Sequence, residues 1–79
     1  MSELDLNFLI SGIAEALEVE AHQLNINTKS SDLEEWDSLG HISIMVFLDK
    51  SFNEVTERVT ALASAASVKE IADILSSLE

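Results

Sequence analysis

Leu33-Glu34-Glu35-Trp36-Asp37-Ser38-Leu39-Gly40-His41 is the stretch on which the reading of this chain turns. It joins a loop-forming segment to a helix-forming one. Upstream lie Asn25, Asn27, Thr28, Ser30, Ser31 and Asp32, whose side chains bond to nearby backbone and favour turns. Downstream, Leu39, Ile42, Ile44, Met45, Val46, Phe47 and Leu48 place seven apolar residues within ten positions. Asp37 or Ser38 can cap a helix that runs to about Phe52. A serine at such a start is exposed, and the first backbone N–H groups of the helix point outward without partners. A phosphate ester there would meet free donors and the positive end of the helix dipole. The plainer role of Ser38 is that of an N-cap.

The helix after Ser38 has more apolar residues than one buried face requires. Ile44, Met45, Leu48 and Phe52 form a stripe that can face a core, while Leu39, Ile42 and Val46 form a second, rotated away from it. The second stripe is either covered by the loop or left for a partner. Before the helix, four of the six residues Asp32–Asp37 are acidic. Such runs are usually solvated surface, but this one ends at the exposed serine. The expectation is an apolar patch of Leu39, Ile42 and Val46 beside Ser38, ringed by Asp32, Glu34, Glu35 and Asp37.

Working outward, Leu6, Leu9, Ile10, Ile13 and Leu17 recur at helical spacing and predict a helix from about Leu4 to Glu18. Ser2 is its expected cap, with Glu3 and Asp5 in the first turn. From Val19 to Asp37 the periodicity fades into a long connection, for which Val19, Leu24, Ile26 and Leu33 can serve as anchors. A third helical piece falls somewhere in Glu54–Ala66, with Val55, Val59 and Leu62 in one register and Thr60 as a possible internal cap. Ser67 and Glu70 form a capping-box pattern before a last helix whose apolar face is Val68, Ile71, Ala72, Ile74, Leu75 and Leu78. The fold class is therefore all-α: helix, long loop, helix, short helix, helix.

The chain has 79 residues, 15 Asp+Glu against 4 Lys+Arg, and a formal net charge of −11. It reads as one free-standing domain over residues 1–79, with a small core. The charge argues against nucleic acid as ligand, because phosphate binding needs Lys and Arg; basic protein surfaces are the better partners. With no Cys there is no disulfide or thiolate zinc site. Acid in Met1–Asp5 does not suit a secretory leader. The longest apolar run, Ile44–Leu48, is too short for a bilayer. A soluble, cytoplasmic monomer is expected, with no membrane insertion.

Asp37-Ser38-Leu39, in the setting Trp36-Asp37-Ser38-Leu39-Gly40-His41, resembles the attachment motif of acyl carrier proteins. The likeness extends to the acidic composition, the long loop before the motif, the helix ending in Phe52, and Ser67-Val68 followed by Ile71 and Ile74. It covers essentially the whole chain. It implies a four-helix bundle of acyl-carrier type with a long loop between helices 1 and 2 and a short third helix. It also implies that Ser38 carries 4′-phosphopantetheine through a phosphodiester. The terminal thiol of that arm would hold an acyl group as a thioester. The protein would then be a carrier, not an enzyme. Its partners would be a phosphopantetheinyl transferase, and acyl-loading and acyl-transfer or synthase enzymes with basic docking surfaces. On this reading Asp37, Leu39, Ile42, Val46, Glu34 and Glu35 meet partners, and Ile44, Met45, Leu48 and Leu62 form a slot for the acyl chain below Ser38.

This chain departs from the carriers of general fatty-acid synthesis, whose helix after the serine is strongly acidic. Gly40 lies two positions after Ser38, Ser43 stands where a recognition glutamate is usual, Lys50 adds a positive charge, and Asp49 is the only acid in Leu39–Phe52. Those departures favour a specialised pathway with its own partners. Gly40 lowers helix propensity by about 1 kcal/mol relative to Ala, so either a close approach from a partner or a structural constraint is expected there. An aminoacyl or peptidyl carrier is the alternative within the same superfamily. A small acidic helical adaptor or inhibitor of a basic protein is the alternative outside it.

Other chemistry fits less well. His22 and His41 lack a metal-ligand repeat. His41 can reach a phosphate on Ser38, but more simply forms part of the surface boundary. Trp36 packs against the first turn of the second helix or faces partners. Ser38-Leu39-Gly40 is half of a nucleophile elbow, but Trp36 replaces the first glycine and the chain is too small for the supporting sheet. A calcium loop starting at Asp32 would place Trp36 at the fifth position and Ser43 at the twelfth, where an EF-hand needs Asp or Asn and then Glu. No metal site is expected.

Overall fold

A computed structural model describes residues 5–78. Among these described residues four α-helices form: α1 (Leu6–Leu17), α2 (Ser38–Ser51), α3 (Val55–Arg58) and α4 (Val68–Ser76). Single 3₁₀ turns occupy Ala21–Gln23 and Ser30–Asp32, and a longer one, Thr60–Ser64, follows α3. The fold is all-α. The one β-type pairing among the described residues is an isolated antiparallel bridge between Lys29 and Ser67.

α1 is held by Leu9, Ile13, Ala14 and Leu17, all buried, while Leu6, which the spacing places in the buried stripe, is 41% exposed. Its cap is Asp5, whose carboxylate accepts from the Phe8 N–H. The helix therefore starts later than expected; Ser2 and Glu3, the anticipated cap and first-turn acid, lie outside the described residues. α1 and α2 run antiparallel, with Leu17 over Gly40 and the Phe47 ring over Gly12. In α2, Ile44 and Leu48 are fully buried, and Met45, Phe47 and Phe52 pack against the same core. Burying each of the larger side chains contributes about 1.5–3 kcal/mol.

The connection between α1 and α2 stays on the core through the expected anchors. Leu24 is buried, and Val19, Ile26 and Leu33 are half-buried against it. Backbone bonds tie this loop to the start of α4: the Ser30 N–H donates to Ala66 O at 2.7 Å and the Val68 N–H to Thr28 O at 3.0 Å. Ser67 caps α4 by accepting from the Glu70 N–H. The returning carboxylate of Glu70 takes the N–H of Ala66, one residue earlier than in a full capping box.

The short helix after α2 begins at Val55. Asn53 and Glu54 both adopt positive φ, at 60° and 58°, to turn the chain. Asp49 fastens this turn. Its Oδ1 accepts from both the N–H and the hydroxyl of Thr56 at 2.8 and 2.7 Å. Val55 and Leu62 enter the core fully, and Val59 lies half-buried between them in sequence. Thr60 opens the 3₁₀ helix without capping it; Val59 holds the cap position and its side chain makes no capping bond. α4 buries Val68, Ile71, Ala72 and Leu75, half-buries Ile74, and leaves Leu78 47% exposed.

Candidate functional site

The start of α2 is organised by Asp37. Its Oδ1 accepts from the Gly40 N–H at 2.8 Å, and its carbonyl accepts from the His41 N–H at 2.8 Å. Asp37 is thus the N-cap and Ser38 the first helical residue. The N–H groups of Ser38 and Leu39 are left without intrahelical partners, as the geometry of a helix start requires. Ser38 is exposed, and so are Asp32, Glu34, Glu35 and Asp37 before it. Asp32 also works locally, its carboxylate accepting from the Lys29 N–H.

Leu39, Ile42 and Val46 are 75%, 58% and 47% exposed. The loop does not cover them. These are the second apolar stripe of α2, and they lie on the helix that begins at Ser38, downstream of the acidic run. Ile44, Leu48 and Leu62 are fully buried and Met45 is half-buried. They belong to the packed core, and a slot among them would have to open within it.

A surface cleft of about 600 Å³ opens beside Ser38, with Trp36, Asp37, His41 and Ile42 on the α2 side and Ser30 and residues 63–66 opposite. None of the four slot candidates lines it. Trp36 is only 5% exposed and lies edge to edge with His41, with ring centroids 6.2 Å apart and planes 14° from parallel. The Trp36 Nε1–H donates to His41 Nδ1 at 3.0 Å, and His41 Nε2 lies 3.1 Å from the Leu62 carbonyl oxygen. The two titratable side chains that share the cleft with Ser38 are therefore committed: Asp37 to the cap, His41 to Trp36 and Leu62. Ser38 presents a hydroxyl, outward N–H groups and a helix dipole. An incoming catalyst could supply the base.

Composition alone did not reveal this Trp36–His41–Leu62 chain. Of the two places expected for Trp36, against the first turn of α2 or facing partners, it takes the first; the bond from His41 to the Leu62 carbonyl comes from tertiary packing. A second cleft of about 420 Å³ lies between α1 and α2, lined by Phe8, Gly12, Glu15, Val46, Phe47 and Lys50 among others. It is floored by the tilted Phe8–Phe47 pair, with centroids 5.7 Å apart. Ser38 does not line it. Among the described residues, no group of three or more His, Cys, Asp or Glu gathers to hold a metal. Among the same residues, no helix is long and apolar enough to cross a membrane.

The chain matches no protein-family model, and neither curated proteins nor solved structures yield a match.

Proposed function

We propose that the chain is an acyl carrier protein. It would hold acyl intermediates as thioesters on a 4′-phosphopantetheine arm attached to Ser38 and deliver them to partner enzymes. The observation that carries this reading is the exposed Ser38 at the first position of α2, within Trp36-Asp37-Ser38-Leu39-Gly40-His41. A phosphodiester on its Oγ would sit at free backbone N–H groups. The arrangement of α1, long loop, α2, short α3 and α4 agrees with a four-helix bundle of carrier type. The exposed Leu39, Ile42 and Val46 would supply an apolar contact, and the exposed acids Glu34, Glu35 and Asp37 that precede the helix would steer a basic partner. Acid is concentrated before the serine, not along α2, which favours partners of a specialised pathway over the ordinary elongation enzymes.

The arm would be transferred from coenzyme A. The Ser38 hydroxyl oxygen attacks the β-phosphorus of the pyrophosphate, 3′,5′-adenosine diphosphate leaves, and the serine proton passes to a base on the transferase. The test is intact mass after coexpression with a broad-specificity phosphopantetheinyl transferase. A gain of one phosphopantetheine supports the carrier reading. An unchanged mass with several transferases favours instead an acidic helical adaptor in which Ser38 only opens a helix.

A further inference from the structure

The contacts of His41 specify one protonation state. An indole N–H can only donate, so His41 Nδ1, 3.0 Å from Trp36 Nε1, must carry a lone pair. A carbonyl oxygen can only accept, so Nε2, 3.1 Å from Leu62 O, must carry the proton. The ring that satisfies both is the neutral Nε2–H tautomer. An imidazolium carries hydrogen on both nitrogens. Its Nε2–H would keep the Leu62 bond, while its Nδ1–H would point at the indole N–H and remove that bond's acceptor.

We propose that His41 is a proton-operated latch on the wall of the Ser38 cleft. Neutral His41 holds the Trp36 indole, and with it the 33–37 loop, against α2; protonation at Nδ1 releases the indole. Trp36 is 5% exposed, so a released N–H would be buried without a partner. That cost drives the ring toward water. Because Trp36, Ser38 and His41 line the same cleft, its wall rearranges where Ser38 is presented.

Charged and carbonyl groups approach the latch from the loop, the 3₁₀ helix and the end of α1. From the loop, Asp37 shares the cleft, and Glu34 and Glu35 are exposed nearby. The 3₁₀ helix Thr60–Ser64 brings the Leu62 carbonyl and no titratable side chain. At the end of α1, Leu17 packs on the neighbouring Gly40 and exposed Glu18 follows it. The latch is independent of whether Ser38 carries an arm.

Trp36 is the sole tryptophan, so its fluorescence reports the latch directly. The full chain is titrated from about pH 8 to about pH 5, the interval in which imidazoles change charge, with far-UV circular dichroism recorded alongside. The expected result is an emission maximum that moves to longer wavelength as pH falls, at constant helicity. His22→Gln should keep that transition and His41→Gln should lose it. A transition that survives in H41Q, or emission independent of pH in the wild type, overturns the proposal. Should H41Q not fold, the wild-type indole Nε1–H resonance decides. It must shift along the same titration curve as the His41 ring protons, and a resonance that stays fixed while His41 titrates overturns the latch.

Discussion

Gly40 stands directly against the backbone carbonyl of Glu35: a Cβ at this position would overlap that oxygen and press on a Leu17 methyl. The absence of a side chain in the first turn of α2 is therefore accounted for within the fold, by the loop that brings Trp36 under the helix. A partner's approach is not needed to explain it. Gly40→Ala would gain about 1 kcal/mol of helix propensity. Overpacking a tight site typically costs about 1–3 kcal/mol, and here the obstacle is backbone, which yields poorly. We expect a net loss of stability in urea denaturation. Gly12→Ala should cost less, because the nearest atoms its Cβ meets are the ring end of Phe47, a side chain and not backbone. If G40A is as stable as the wild type, the 33–37 loop gives way freely and the account of Gly40 is wrong.

Asp49 closes the turn between α2 and α3 through Thr56: the Thr56 N–H donates to Oδ1, and the Thr56 hydroxyl, with one hydrogen to give, lies 2.7 Å from Oδ1 and 2.8 Å from Oδ2. Asp49→Ala leaves a part-buried N–H and hydroxyl without their acceptor, for which a loss of about 1–3 kcal/mol is expected. Thr56→Val removes only the hydroxyl and should cost less. The two substitutions should be strongly non-additive in a double-mutant cycle. Additive losses would show that the carboxylate acts elsewhere.

Fifteen acids against four bases repel one another in the compact state, and one ion pair, Lys69–Asp73 at 3.0 Å, is present among the described residues. That pair is exposed and contributes little. Thermal melts should therefore show a melting temperature that rises with added salt, steeply at low ionic strength and then levelling as screening saturates. A melting temperature that falls or stays flat over that range would mean that self-repulsion is not what limits stability.

Glu34 and Glu35 are exposed just before the capped start of α2, the helix that carries the exposed Leu39, Ile42 and Val46. Reversing both to Lys should leave the helical content intact and slow transfer of the pantetheine arm at low salt, mainly through slower association. The difference from wild type should shrink as salt is added. A transfer rate indifferent to both charge reversal and salt would make the acidic run a solvated surface only.

What could be read in the sequence follows from how locally each feature is determined. The apolar periods of α1, α2 and α4 locate the helices, because a repeat of three and four residues survives tertiary packing. Leu6 and Leu78 were assigned to the buried faces, yet both are at helix ends where the core has run out. The 3₁₀ turns at Ala21–Gln23 and Ser30–Asp32 are too short to show a period. The start of α3 depends on positive φ at Asn53 and Glu54, and glutamate gives no signal for that conformation. At the site, Ser38, the acidic run and the exposed stripe are local to one loop and one helix, and were legible. The His41–Leu62 bond joins residues 21 positions apart, and only the fold brings them together.

The most direct measurement is mass spectrometry of the wild type and Ser38→Ala, each incubated with coenzyme A, Mg²⁺ and a broad-specificity phosphopantetheinyl transferase, then digested and fragmented. The account predicts one phosphopantetheine on the wild type, localised to Ser38. It also predicts none on S38A, which should retain its helical circular dichroism because Asp37, not Ser38, caps α2. Modification of S38A at another hydroxyl, or an unmodified wild type with every transferase tried, would contradict it.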